Sequence, residues 1–315
     1  MKIIPKLLLS GAAAFATVLS SANAAPLRVL YFSKSAGYEH SVVKRVNGEP
    51  SYSERVLSKL GSDHDIQFTF SKDGSLFSPA YLAGFDVIMF YTSGDLSAVT
   101  PPGEAPKGDG NPAMTAAGKQ ALLDAIAGGK GFVGVHSCSD TFHTGEQGAG
   151  NNAMRGQRYK NYGDAADPFI KMLGGEFIKH DAQQVATARV TVPDFPGFDK
   201  LGSELKVLEE WYSLKEFAPN LHVQLVMETK EMEGPDYARP AYPIAWARVY
   251  GKGRVAYNAM GHREDVWDSA AFQSMLLGDI QWAGRRVDAD VTPNLAVVTP
   301  GHATLPAPAA EAPKK

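Results

Sequence analysis

The chain has 315 residues, 44% of them hydrophobic and 21% charged, which is an ordinary globular composition with enough length for one large domain or two small ones. A formal charge of −3, from 31 Lys and Arg against 34 Asp and Glu, gives no electrostatic reason to bind nucleic acid or an anionic membrane. The single cysteine, Cys138, excludes an internal disulfide.

Residues 1–24 carry Lys2 and Lys6, then an apolar run, then Ala22-Asn23-Ala24, the pattern of a secretory signal peptide. The expectation is cleavage after Ala24, export to the periplasm or medium, and no membrane attachment afterwards. The apolar run is broken by Ser10 and Gly11 and is short for a span of about 20 residues.

Short apolar runs at 27–33 (LRVLYFS), 65–71 (DIQFTFS), 86–92 (DVIMFYT) and 131–136 (GFVGVH) each predict a buried strand. Between the last two, TAAGKQALLDAIAGG predicts a crossover helix, with Thr115 as its N-cap, Leu122 and Ile126 on one face, and Gly128-Gly129 as its stop. A parallel α/β sheet follows for this half. Residues 97–114, dense in Pro and Gly, read as a surface loop.

The second half predicts strands at 186–192, 205–214, 222–228, 243–250 and 254–260, with Gly251-Lys252-Gly253 as a tight hairpin between the last two. A closing helix is predicted from Asp268 to Ala283, burying Phe272, Leu276 and Ile280. The domain thus runs over 25–284. Residues 285–315, rich in Pro and Ala, predict a disordered tail.

The stretch GVHSCSDTFH, 134–143, sits where a nucleophile elbow of the G-x-[S/C]-x-G kind would lie. Histidine, His136, holds the apex; Ser137 is one place late and Cys138 two places late. This argues against a Ser or Cys hydrolase. Cys138 reads as a packed core thiol. If a helix starts here, His136, Asp140 and His143 share one face.

Parallel sheets gather ligands beyond the carboxyl ends of their strands. Polar residues placed there by the predicted elements are His40, His136, His180, Glu209 or Glu210, Tyr212 and His262. Imidazole titrates near neutral pH and binds borderline metals, so such a rim serves proton transfer or metal-assisted chemistry. No HxH or HExxH pairing is present, so a metal site has to be assembled in three dimensions.

The segments SKSAGYEH, GGKGFVGVHSCSDTF, LGGEFIKHDAQQ, EEWYSL and PIAWARVYGKGRVAYNAMGH, in this order and spacing, resemble the ThuA-like (trehalose utilisation) family over 27 to about 284. The resemblance implies a flavodoxin-like, class I glutamine amidotransferase-like three-layer sandwich with a mostly parallel central sheet. In that family histidine replaces the amidotransferase nucleophile, which His136 matches; His262 matches the amidotransferase histidine, and His40, His180, Glu210 and Tyr212 match further family positions. Glu209 stands where aspartate is usual.

The function implied is carbohydrate utilisation, on a disaccharide or keto-glycoside, without glutamine hydrolysis. His136, His262 and Glu210 are the expected catalytic residues. His40, His180, Tyr212, Asp140 and Trp246 are expected to bind substrate, with Tyr38 and Trp211 also placed to stack on a sugar face. Core packing competes for Trp246, which lies in an apolar strand. If a divalent metal such as zinc is used, His136, His262 and His180 are its candidates. Hydrolysis, elimination and epimerisation stay open, as does a non-catalytic sugar-binding role.

Overall fold

A computed structural model describes residues 25–105, 108–145 and 157–308; the predicted leader lies outside them. Three apolar runs of the first half are buried along almost their whole length, as strands covered on both faces must be, while the run at 66–71, also expected to be buried, lies at the sheet edge with only Ile66 buried. They form β1 (Leu27–Phe32), β2 (Ile66–Ser71), β3 (Val87–Phe90) and β4 (Gly131–Val135). The second half adds β5 (Glu176–Lys179), β6 (Gln184–Val190), β7 (Glu204–Glu209), β8 (Ser213–Lys215), β9 (His222–Glu228), β10 (Tyr242–Tyr250) and β11 (Gly253–Asn258).

Nine of these strands make one sheet in the order β2-β1-β3-β4-β11-β10-β9-β6-β7, while β5 and β8 pair separately. The pairings from β2 across to β11 are parallel. From β11 outward through β10, β9, β6 and β7 they are antiparallel. The expectation of a mostly parallel sheet therefore holds for one half only. The reason is local: the turn at Gly251 (φ 59°) and Lys252 folds β10 straight back on β11, and a hairpin can only join antiparallel neighbours.

The helices are α1 (Tyr52–His64), α2 (Pro79–Ala83), α3 (Ala116–Ala127), α4 (Pro168–Leu173), α5 (Glu264–Asp268), α6 (Ala270–Ala283) and α7 (Leu295–Val298). Thr115 caps α3 as expected, accepting from the Gly118 N–H. Helix α1 begins with a capping box, Ser51 and Glu54 each holding the other's backbone N–H. On β4, Gly131 faces Ala283 of α6 and Gly134 faces Leu173 of α4. Because side chains alternate along a strand, these helices cover opposite faces of the sheet.

Three predicted elements differ. The strand expected over 205–214 breaks after Glu209, because the buried Glu209 carboxylate turns the backbone by accepting from the Glu210 N–H. The closing helix starts afresh at Ser269, whose hydroxyl accepts from the Phe272 N–H, leaving the short α5 before it. The predicted disordered tail is traced through residue 308: Asn294 accepts from the Val223 N–H at 2.6 Å and donates to its carbonyl at 3.1 Å, seating Leu295 in the core. Among the described residues no helix is long and apolar enough to cross a membrane.

Candidate functional site

Strand β4 ends in a sharp turn. His136 takes φ 45°, in the left-handed region that a non-glycine residue enters only when the surroundings compel it. The backbone is held there by the Tyr257 hydroxyl, which donates to the His136 carbonyl at 2.8 Å and also contacts the Ser139 hydroxyl at 2.8 Å. Gly134 makes room, since a Cβ there would meet the Cys138 sulfur at 2.9 Å. Cys138 is wholly buried, and burial pushes its thiol well above the ordinary value. It is the core thiol expected.

The chain continues as a 3-10 turn, His136–Asp140, not as an α-helix. The expected shared face of His136, Asp140 and His143 is therefore not formed. His136 turns inward, while Asp140 meets His143 at 2.5 Å, and His143 meets Glu176 at 3.1 Å. Glu176 pairs in turn with Lys215 at 3.0 Å, and Asp140 with Arg158 at 3.5 Å. Asp140 is thus a member of a buried ion-pair network, which corrects its assignment to substrate binding.

Burial works against the charge on His143, but Asp140 and Glu176 overcome it and raise its pKa. Burial also opposes the charge on Glu176, yet His143 and Lys215 hold that carboxyl down to about 2. A depressed carboxyl contributes stability that is present above its unfolded value of about 4.3 and lost as pH falls toward the folded one. Glu176→Gln is expected to destabilise the fold at pH 6 by about 2 kcal/mol through loss of charged hydrogen bonds. The deficit should close between pH 4 and 2 in thermal melts; a deficit independent of pH would mean that the charge on Glu176 contributes nothing.

Around Glu210 the structure gathers residues from distant strand ends. His262 Nδ1, His136 Nε2 and His40 Nε2 lie 3.0, 3.5 and 3.9 Å from Glu210 Oε2. His180 Nδ1 lies 3.5 Å from the other oxygen, Oε1. The rings of His40, His136 and His262 stand nearly at right angles to one another, with centroids 5.0–5.4 Å apart. His136 Nδ1 is 2.8 Å from the Ala259 carbonyl, which can only accept, so Nδ1 carries a proton and Nε2 is the ring nitrogen turned to Glu210.

Burial would raise the Glu210 carboxyl, but His136, His262 and His40 outweigh it and hold it well below the usual carboxylate range. Burial pushes His40 down to about 4 in spite of Glu210. The assignment that fits both directions at neutral pH is an ionised Glu210 beside a neutral His40.

The cluster is held by a residue whose role the sequence left undecided. Glu209 Oε2 accepts from the Gly261 and His262 N–H groups at 2.8 and 3.2 Å, while Oε1 accepts from Glu210 N–H at 2.7 Å. One buried carboxylate thereby ties the end of β7 to the end of β11 and sets both Glu210 and His262. Glu209→Gln keeps one acceptor oxygen and orphans a buried N–H, at about 1–3 kcal/mol. A lowered melting temperature and weaker ligand binding are expected, with binding partly recovered in Glu209→Asp. A normal melt and normal binding for Glu209→Gln would rule the clamp out.

Trp246, expected to bind substrate, is fully buried: its indole donates to the Leu173 carbonyl at 2.9 Å and fills the space above Gly175, where a Cβ would come within 2.6 Å of the ring. It is a core residue. Trp211 is buried likewise, donating to the Gln184 carbonyl. Tyr212 is also buried, its ring between His136 at 4.3 Å and Phe177 at 4.0 Å. It walls the cluster and offers no open face. Tyr38 is the exposed aromatic, 64% accessible and edge-on to His40 at 4.9 Å.

The cluster opens at His262 into a cleft of about 430 Å³ lined also by Ser41, Gln183, Arg263, Glu264 and Asp265. Arg263 bridges this mouth, donating to Gln183 at 2.8 Å and to Asp265 at 2.9 Å. Sequence reasoning missed these residues; the signal was the run of charged residues directly after Gly261-His262. None of the described residues of the 97–114 loop is among the four that gather at Glu210. The loop is tied to the end of β1 by Asp109, which accepts from the Ser35 N–H at 2.8 Å and pairs with Lys34 and Lys72.

Over residues 28–283 the chain matches the ThuA family, described as trehalose utilisation. Among solved structures it is similar to a ThuA-like protein from Bacteroides uniformis ATCC 8492, with a TM-score of 0.55 and 18% identity over 87% of this chain and 95% of that one. A ThuA-like protein from Parabacteroides merdae ATCC 43184 gives a TM-score of 0.53 and 15% identity over 89% and 96%. At these identities the likeness is one of fold. No curated protein matches the chain. The family match takes in His40, His136, Glu210 and His262 alike, and the chain belongs to the ThuA family.

Proposed function

We propose that this protein is an enzyme of carbohydrate utilisation that acts on a disaccharide or its keto derivative at the cluster around Glu210. The observation that carries the reading is the convergence of His40, His136 and His262, from three separate strand ends, on one buried carboxylate beside an open polar cleft. Hydroxyl-rich ligands are held by several polar side chains and an aromatic face. The cleft supplies Ser41, Gln183, Arg263, Glu264 and Asp265, and Tyr38 stands exposed beside His40.

The finer architectural reading is that of an amidotransferase-like sandwich whose nucleophile has been replaced. Its support is the strand, the positive-φ apex residue and the tight turn that follow one another at His136. Cys138 lies two residues on, buried and poorly ionised, so glutamine hydrolysis is not part of the proposal. His180 is the one histidine at the cluster with substantial exposure, which suits a group that exchanges protons with solvent or substrate. Export belongs to the same reading: residues 1–24 act as a leader, and mass spectrometry of protein from the periplasm or medium should find a chain beginning at Ala25.

The test is calorimetric titration of the mature protein with a panel of disaccharides and their keto derivatives, followed by product analysis on those that bind. Binding with conversion supports an enzyme. Binding without conversion favours an accessory sugar-binding protein, a reading consistent with the loss of the elbow nucleophile. A panel with no binder would remove the carbohydrate assignment.

A further inference from the structure

The four groups at the centre of the cluster are arranged as ligands. Glu210 Oε2, His262 Nδ1, His136 Nε2 and His40 offer one donor atom each, all within 4.8 Å of one another. A tetrahedral ion with bonds of about 2.1 Å sets its donor atoms about 3.4 Å apart. The three separations from Glu210 Oε2, at 3.0, 3.5 and 3.9 Å, straddle that value.

The alternative is a plain ion-pair cluster, in which an imidazolium donates its proton to Glu210. The geometry does not favour it. His136 Nε2 and His262 Nδ1, the ring atoms that face Glu210, are buried with no hydrogen-bond partner among the described residues, and His40 Nε2 stands 3.9 Å off, beyond hydrogen-bond reach. His262 Nδ1 stands only 3.0 Å from the carboxylate, yet off the direction a hydrogen bond needs. Close approach without alignment is how ligands of one ion sit.

An outer shell is present as well. A metal-bound imidazole ordinarily donates its second ring N–H to a carbonyl or carboxylate, which fixes its tautomer. His136 does so through Nδ1 to the Ala259 carbonyl. Glu209 grips the backbone that carries His262 and Glu210.

We propose that His40, His136, His262 and Glu210 bind a single divalent transition-metal ion. Three imidazoles and one carboxylate are a borderline donor set, suited to zinc and to its neighbours cobalt, nickel and iron rather than to calcium or magnesium. His180 is outside the ligand set: its Nδ1 lies 3.0 Å from the Asp181 carbonyl, and the ring faces Oε1, away from the other three histidines' shared oxygen. Of the histidines that the sequence offered as metal candidates, His136 and His262 are retained and His40 takes the place of His180. If the carbohydrate reading also holds, the ion would polarise an oxygen of the sugar, and His180 would stand beside it to carry the proton.

The test uses the full mature chain, stripped with a chelator, reloaded with one equivalent of cobalt(II) or zinc(II), and desalted. Metal content is read by mass spectrometry and cobalt geometry by visible absorption, with circular dichroism confirming the fold of each variant. The expected result is one ion per chain with an intense low-symmetry cobalt spectrum. Glu210→Gln, close in shape to the parent, and His136→Gly, which relieves the positive φ, should each weaken retention at least about tenfold, while His180→Ala keeps it. Retention of little or no metal by the parent chain overturns the assignment. So does a Glu210→Gln chain that holds metal as well as the parent, or a His180→Ala chain that loses it. No sugar is present in these measurements, so a loaded protein that binds no sugar counts against the carbohydrate reading alone.

Discussion

Asp279→Asn is expected to raise the melting temperature by an amount that grows steadily from pH 5 to pH 8. Asp279 lies on α6 in the core, where Gln224 of β9 donates to one oxygen at 3.1 Å and the other oxygen has no hydrogen-bond partner among the described residues. Burial pushes its carboxyl up to about 8, against the pull of Gln224. Between the unfolded value of about 3.9 and this one, the folded chain binds a proton that the unfolded chain releases. Stability must then fall as pH rises, at up to about 1.4 kcal/mol per pH unit.

Asparagine has nearly the same shape and does not titrate. The difference between variant and parent isolates this one group, because the other titrations are common to both. For a domain of this size the gap should widen by roughly 2–4 °C per pH unit and level off above pH 8. Parallel melting curves across that range would mean that Asp279 is ionised in the folded protein, and with it that the core around α6 is far wetter than its packing implies.

His136→Gly should leave the protein folded and remove its function. Two effects oppose each other in the fold. Losing the imidazole forfeits its hydrogen bond to Ala259 and some packing, but glycine enters the positive-φ region freely, whereas histidine is forced there. The net change in stability should be within about 2 kcal/mol. Function has no such compensation, since His136 Nε2 is a central donor atom of the cluster. On whichever sugar is found to be converted, turnover should drop by about a thousandfold or more, the scale of losing a principal catalytic group. A variant that turns over normally would move the reacting atoms elsewhere in the cleft. His136→Ala is the less informative substitution, because alanine keeps the strain and loses the ring.

The parts of the fold that could be read from the sequence are those written in short stretches. The apolar runs that became β1, β3 and β4 were legible because a strand buried on both faces needs little but apolar residues, while β2, at the sheet edge, is legible from its alternating Phe68 and Phe70 although only Ile66 in it is buried. Helix α3 was legible at both ends from Thr115 and Gly128. The site was legible to the extent that strand ends could be located, which brought His40, His136, His180 and His262 to one rim. What escaped was set by distant contacts. Nothing near Trp246 says that Gly175 leaves a space for its indole, and nothing near Asp140 announces Glu176 and Lys215 beyond His143. The ordered part of the predicted tail, through residue 308, was hidden by its Pro and Ala content, because what ties it down is distant: Asn294 on both sides of Val223, His222 on the Thr292 carbonyl and Arg239 on the His302 carbonyl.

The order of strands across the sheet has a consequence for how the protein matures. Strand β11 is the last to be synthesised and lies in the middle, between β4 and β10, so the sheet stays divided until residues 253–258 have been made and inserted. The histidines at 40, 136 and 262 are far apart along the chain, and an unfolded copy offers no preformed chelating pair. Any ligand that grips the Glu210 cluster therefore binds the finished fold and favours it over the unfolded ensemble by mass action. Protease resistance during refolding, followed with and without such a ligand, should rise late and together with β11 protection from hydrogen exchange, not in step with the early formation of β1 to β4.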